Sequence, residues 1–73
     1  MDGHFTHEYD NAGRKLYGGD RVKARTCFKD EVTGTIVFDG RVWFIDADEG
    51  SINPDLWLCD SVEKIGSWKD EQD

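Results

Sequence analysis

Seventy-three residues carrying nine basic and sixteen acidic side chains, a formal charge of −7, make one small domain that buries only about 60% of its unfolded surface. No apolar run reaches the roughly 20 residues that a membrane span needs, and the opening MDGHFTHEYD lacks the layout of a secretory leader, so a soluble, cytosolic protein with no membrane partner is expected. The acid excess argues against general nucleic-acid affinity, which rests on Lys and Arg at phosphates, and favours a basic protein partner.

In chain order, residues 1–12 read as a flexible N-terminal arm or a short edge strand, polar with isolated Phe5 and Tyr9. Asn11, Ala12 and Gly13 form a turn, because Asn and Gly tolerate positive φ. A short extended piece at 14–17 follows, and Gly18, Gly19 and Asp20 turn the chain again. Over 20–28 the period is two: Val22, Ala24, Thr26 and Phe28 fall on a buried face, and Arg21, Lys23, Arg25 and Cys27 on a solvated one. The segment 29–32 reads as a polar loop.

The run TIVFDGRVWFI, residues 35–45, is the strongest local signal. Asp39-Gly40 between two β-rich segments predicts a two-residue type I′ hairpin. Its register sets Phe38 opposite Arg41, Val37 opposite Val42, Ile36 opposite Trp43 and Thr35 opposite Phe44. Both faces are then largely apolar, which predicts a central hairpin covered on each side. Residues 46–55 form an acidic, turn-rich loop, and 56–59 resume an extended run. In 61–68, Val62, Ile65 and Trp68 are spaced by three as on a helix, but Gly66 costs a helix about 1 kcal/mol, so a final strand reaching about Trp68 is preferred. Trp68 is expected to be the most exposed tryptophan, with Trp43 and Trp57 in the core or at a rim.

Five or six short strands between Gly and Asp turns, with little helix, indicate an all-β fold, a small SH3-like, partly open β-barrel. The barrel domain is expected over 13–69, with an acidic tail at 70–73.

Several chemistries are excluded by spacing. His4 and His7 have the separation of a ligand pair, but Cys27 and Cys59 are not a close pair and HFTHE is not HExxH, so no metal site is expected. Residues 46–57 miss the calcium-loop pattern, with Gly50 at position 5 and Trp57 at position 12. Gly13, Gly18 and Gly19 lack phosphate-loop spacing. No Ser or Cys has a nearby His and an orienting acid. No cofactor and no catalytic residue is expected. The cysteines read as free thiols.

Charge is lopsided. Residues 1–37 hold six basic and six acidic side chains, whereas 38–73 hold three against ten. Two binding surfaces are therefore candidates. Asp46, Asp48, Glu49, Asp55 and Asp60 would meet a basic protein surface, with a solvated acidic loop as the plainer alternative. Arg21, Lys23 and Arg25 would meet nucleic acid along a strand face, a less favoured partner, with pairing to acidic neighbouring strands as the plainer alternative.

Three segments together resemble the YopX family of small phage and prophage proteins. They are DNAGRKLYGGDRVKA at 10–24, the Gly-x-Ile-x-Phe strand at 34–38, and SVEKIGSWKD at 61–70. The resemblance implies a β-rich, barrel-like domain of phage origin with no enzymatic activity. With the charge distribution, it leads to a non-enzymatic protein that binds a host protein as an acidic anti-defence or regulatory inhibitor.

Overall fold

Alternating buried and exposed positions build most of this chain into strands. The computed structural model describes residues 3–50 and 52–68. Among them run β1 (Phe5–Tyr9), β2 (Lys15–Tyr17), β3 (Arg21–Thr26), β4 (Glu31–Phe38), β5 (Trp43–Ala47), a single 3₁₀ turn at Leu56–Leu58, and β6 (Cys59–Gly66). The strands form an antiparallel pair β1-β2 and a four-stranded antiparallel sheet in the order β5-β4-β3-β6. The fold is all-β, a small, partly open barrel.

The period-two pattern of β3 holds, with Val22, Ala24 and Thr26 buried. Leu16, Val32, Ile36, Ile45, Ala47, Leu56 and Val62 join the two apolar residues of that face in one core. Each fully buried Leu, Ile or Val contributes roughly 1.5–3 kcal/mol, and Leu16, Val22, Ile36 and Ile45 are wholly buried.

Several expectations are corrected. Of the two readings of residues 1–12, the short edge strand is the one present, as β1 at Phe5–Tyr9. Thr6 is buried, its hydroxyl donating to the Leu16 carbonyl at 2.9 Å. β3 ends at Thr26, and Phe28 leaves the core: the Thr26 hydroxyl accepts from the amides of Phe28 and Asp30, and Lys29 turns at φ 71°. β4 accordingly begins at Glu31, inside the expected loop.

The hairpin also differs. β5 pairs Trp43 with Phe38, Phe44 with Val37 and Ile45 with Ile36. Only Gly40 of the two turn residues has positive φ, so a type I′ turn cannot form. Instead the Asp39 carboxylate accepts from the amides of Arg41 and Val42 at 2.8 and 2.9 Å, stabilising a longer loop. The slip is two residues, which leaves every side chain on its expected face. The pair is not central. β5 lies at the sheet edge, with Ile36 and Ile45 inside and Val37 and Phe44 half-buried outside.

Exposed strand edges invite unwanted pairing, and both edges of the larger sheet are blocked by the chain itself. Along β5, Ile45 donates to the Pro54 carbonyl and Ala47 to the Asn53 side chain. Along β6, the Val62 carbonyl accepts from the Asn11 amide, the Val62 amide donates to Asn11 Oδ1, and the Lys64 amide donates to Asp10 Oδ2. The 3₁₀ turn replaces the extended run expected at 56–58, and β6 ends at Gly66 rather than Trp68. The tail expected at 70–73 lies outside the described residues.

Gly34 holds the β4–β5 crossing close. A Cβ there would lie 2.2 Å from the Asp46 carbonyl oxygen, so only glycine fits.

Candidate functional site: an apolar groove with an acidic rim

The basic strand face is neutralised at two of its three positions. Arg21 makes a two-pronged contact with Asp48, at 2.6 and 2.5 Å, and also donates to the Thr35 hydroxyl. Arg25 pairs with Glu31 at 2.9 Å. Their hydrogen bonds hold the Asp48 and Glu31 carboxyls below the usual carboxylate range. Lys23 is exposed, with Thr33 and Glu63 as its cross-strand neighbours.

The five acidic candidates do not form one surface. Asp48 and Glu49 line a shallow depression of about 260 Å³ with Lys23, Glu31 and Thr33. Asp46 stands on β5 opposite Thr35. Asp55 is half-buried where the 3₁₀ turn begins, its carbonyl accepting from the Leu58 amide. Asp60 lies on β6, at the far edge of the sheet from β5, 3.8 Å from Lys29.

What the period-two reading missed is the apolar groove at the β3–β4 turn. Because the chain turns at Thr26, Phe28 stands 77% exposed instead of entering the core. It lines a groove of about 220 Å³ with Thr26, Asp30, Ile52, Pro54 and Leu58. Trp57, next in chain to Leu58, is 64% exposed, so it and not Trp68 is the tryptophan most open to solvent. A contiguous exposed apolar surface such as the one that Phe28, Ile52, Pro54 and Leu58 line marks an interaction site in small proteins. Asp30 lies in the groove, and Asp60, paired with Lys29, borders the same turn. No periodicity signals this site. The local cue is Thr26 four residues before Asp30, a turn-forming spacing that outcompetes strand continuation.

Cys27 is exposed and Cys59 half-buried, and both are free. They are neighbours: the Cys27 amide donates to the Leu58 carbonyl at 3.0 Å, and Cys59 pairs with Thr26. Burial, then the nearby Cys27, push the Cys59 thiol up to about 11, so it stays protonated and unreactive at neutral pH.

Two aspartates overlooked in the sequence anchor the fold beneath the β1–β2 hairpin. Asp10 and Asp20 have fully buried side chains. Asp10 accepts from the amides of Ala12, Arg14 and Lys64 and from Arg14 Nε. Burial raises its pKa, but these donors outweigh burial and hold the carboxyl below its ordinary value. Asp20 accepts from the amides of Tyr17 and Trp68 at 2.8 and 2.9 Å and pairs with Lys64 Nζ at 3.1 Å. The Asp followed by Asn-x-Gly at 10–13 is the turn signal that could have revealed the first.

No protein-family profile matches the chain. No solved structure matches it either. It is similar to the tRNA 5-methylaminomethyl-2-thiouridine biosynthesis bifunctional protein MnmC of Marinobacter nauticus, 32% identical over 54 residues. That stretch is 71% of this chain and 9% of the relative, so this chain spans less than a tenth of the protein it resembles. Among the described residues, no helix is long and apolar enough to cross a membrane.

Proposed function

We propose that this protein is a non-enzymatic binding domain that grips a basic, amphipathic surface of another protein with the groove around Phe28. The observation that carries this is Phe28 itself, a large aromatic held 77% in solvent by its own turn at the mouth of an apolar groove. Burying such an anchor on association removes apolar surface from water, and aromatic anchors in partly formed pockets dominate interface energetics. Asp30 lines the groove and Asp60, paired with Lys29, borders the same turn, and these carboxylates favour Lys and Arg around the partner's apolar contact. Asp46, Asp48 and Glu49 extend the negative field and speed encounter more than they tighten the complex.

The resemblance to YopX proteins supplies the biological setting of the proposal. It is a phage or prophage protein of the bacterial cytoplasm, inhibiting or regulating a host protein by occupying its basic surface. The MnmC similarity covers too little of that enzyme to bring its activity into the reading.

Affinity capture from host lysate, followed by measured affinities for each captured protein, tests it. Phe28→Ser should leave the thermal midpoint within a few degrees of wild type and weaken the specific partner at least tenfold. Asp30→Lys should weaken it and reduce the salt dependence of association. If both variants retain every partner with wild-type affinity, the groove is not the binding site.

A further inference from the structure

The geometry points to a second binding site, for single-stranded nucleic acid, on the outward face of the β1–β2 hairpin. Phe5 is the centre of an aromatic cluster there. Its ring centroid lies 4.8 Å from His7, 5.7 Å from Tyr9 and 5.7 Å from Tyr17. Tyr9 is 55% exposed and His7 is exposed. Lys15 Nζ stands 5.5 Å above the Phe5 ring and Lys64 Nζ 5.4 Å above Tyr17. Beside them, Tyr17, Lys64, Ser67, Trp68 and Gly3 line an open depression of about 310 Å³. Gly3 packs against the Trp68 ring, where a Cβ would lie 2.9 Å from it, and its φ of 86° favours glycine.

Here the rings meet tilted or edge-on rather than stacked on one another, and exposed aromatic rings beside a cation such as Lys15 are the chemistry that holds unpaired bases and their phosphates, with little regard to sequence. Duplex DNA offers no free base faces to such a platform. The strand geometry serves the same end. Four steps along β1, from Phe5 to Tyr9, match two along β2, from Tyr17 to Lys15, so β1 bulges around His7, whose φ is 67°. The bulge gathers Phe5, His7 and Tyr9 on one side and spoils β1 as an edge for an added strand. Recognition on this hairpin therefore falls to side chains.

Among the described residues of the hairpin, carboxylates are few. Asp10 and Asp20, beneath it, are fully buried and committed to Arg14, Lys64 and backbone amides. Lys15 and the half-exposed Arg14 project at the hairpin. Glu8 is the one exposed carboxylate of the described hairpin residues. This site stands apart from the Phe28 groove, which is built from the β3–β4 turn and 52–58.

Fluorescence anisotropy with a labelled twelve-nucleotide oligo(dT) and the full chain tests the assignment. Wild type should bind at low salt and lose affinity steeply with added salt, and should prefer the single strand over a duplex of equal length. Tyr9→Ala should weaken binding about tenfold. Lys15→Glu should abolish it, and Glu8→Gln should tighten it. All three positions are exposed, so circular dichroism should report an unchanged fold. Phe28→Ser should bind oligo(dT) like wild type, which separates this site from the protein groove. Three results would overturn the inference: no binding of oligo(dT) at low salt, equal binding of duplex that Tyr9→Ala leaves unaltered, or saturable binding of a proline-rich peptide by this face with no oligonucleotide binding.

Discussion

Replacing Asp20 by Asn tests whether the barrel is held at its seam by one buried carboxylate. The side chain is fully buried, and its two oxygens serve three donors from three segments: the Tyr17 amide in β2, the Trp68 amide beyond β6 and the Lys64 ammonium on β6. Asn keeps one acceptor oxygen but turns an NH₂ group toward a donor, and it leaves the Lys64 ammonium, only 17% exposed, without its counter-charge. Breaking a buried ion pair by removing one partner costs about 3–5 kcal/mol, and the lost acceptor adds to the penalty for an unsatisfied buried donor. A chain of this length has a total stability of about 4–11 kcal/mol, so Asp20→Asn should remove a third or more of it. Since 1 kcal/mol shifts the midpoint of a small domain by about 4–8 °C, the melting temperature should fall by more than about 12 °C. Urea unfolding followed by tryptophan fluorescence gives the free energy directly. Lys64→Met added to Asp20→Asn should then cost less than the two single changes together, because the stranded ammonium is gone. A loss under about 1 kcal/mol for Asp20→Asn, or strict additivity in the double variant, would refute the reasoning.

Asp10 predicts the pH response. Its folded pKa is held below the ordinary 3.8, so its stabilisation is complete above the unfolded value and disappears as pH falls through the folded one. The urea midpoint should hold from pH 7 to about 5 and decline below about 4, and Asp10→Asn should flatten that decline. Glu31, Asp39 and Asp48 are displaced in the same direction, by Arg25, by the Val42 amide and by Arg21 respectively, and add a smaller, salt-sensitive share. Gly34→Ala should destabilise by about 1–3 kcal/mol, because its Cβ would strike the Asp46 carbonyl. Gly13→Ala, at a turn where a Cβ meets nothing within 4 Å, should cost less despite its positive φ, and thermal melts of the pair rank the two.

The all-β class, the turns at 11–13 and 18–20, the buried face Val22-Ala24-Thr26 and the face assignments of β4 and β5 are all local consequences of side-chain period and turn chemistry, and the sequence determined them alone. Where a local rule had a tertiary competitor, it lost. Asp39-Gly40 calls for a two-residue turn in isolation, but packing of Phe38 against Trp43, with ring centroids 4.9 Å apart, accompanies a register two residues away. Phe28 keeps the strand's period, yet the Thr26 turn puts it in solvent and so creates the groove. That Arg21 and Arg25 pair with acids of neighbouring strands is the plainer expectation, but which acids is not legible locally, because Asp48 and Glu31 are 27 and 6 residues distant and meet them only once β3, β4 and β5 are aligned. Asp20 reads as an ordinary turn residue and Asp10 draws no reading at all, because their donors at Trp68 and Lys64 lie 48 and 54 residues away. A period or a turn is encoded within a few neighbours. Which charges are cancelled, which edges are blocked and which aromatics stay in water depends on contacts that exist only after the sheets have assembled.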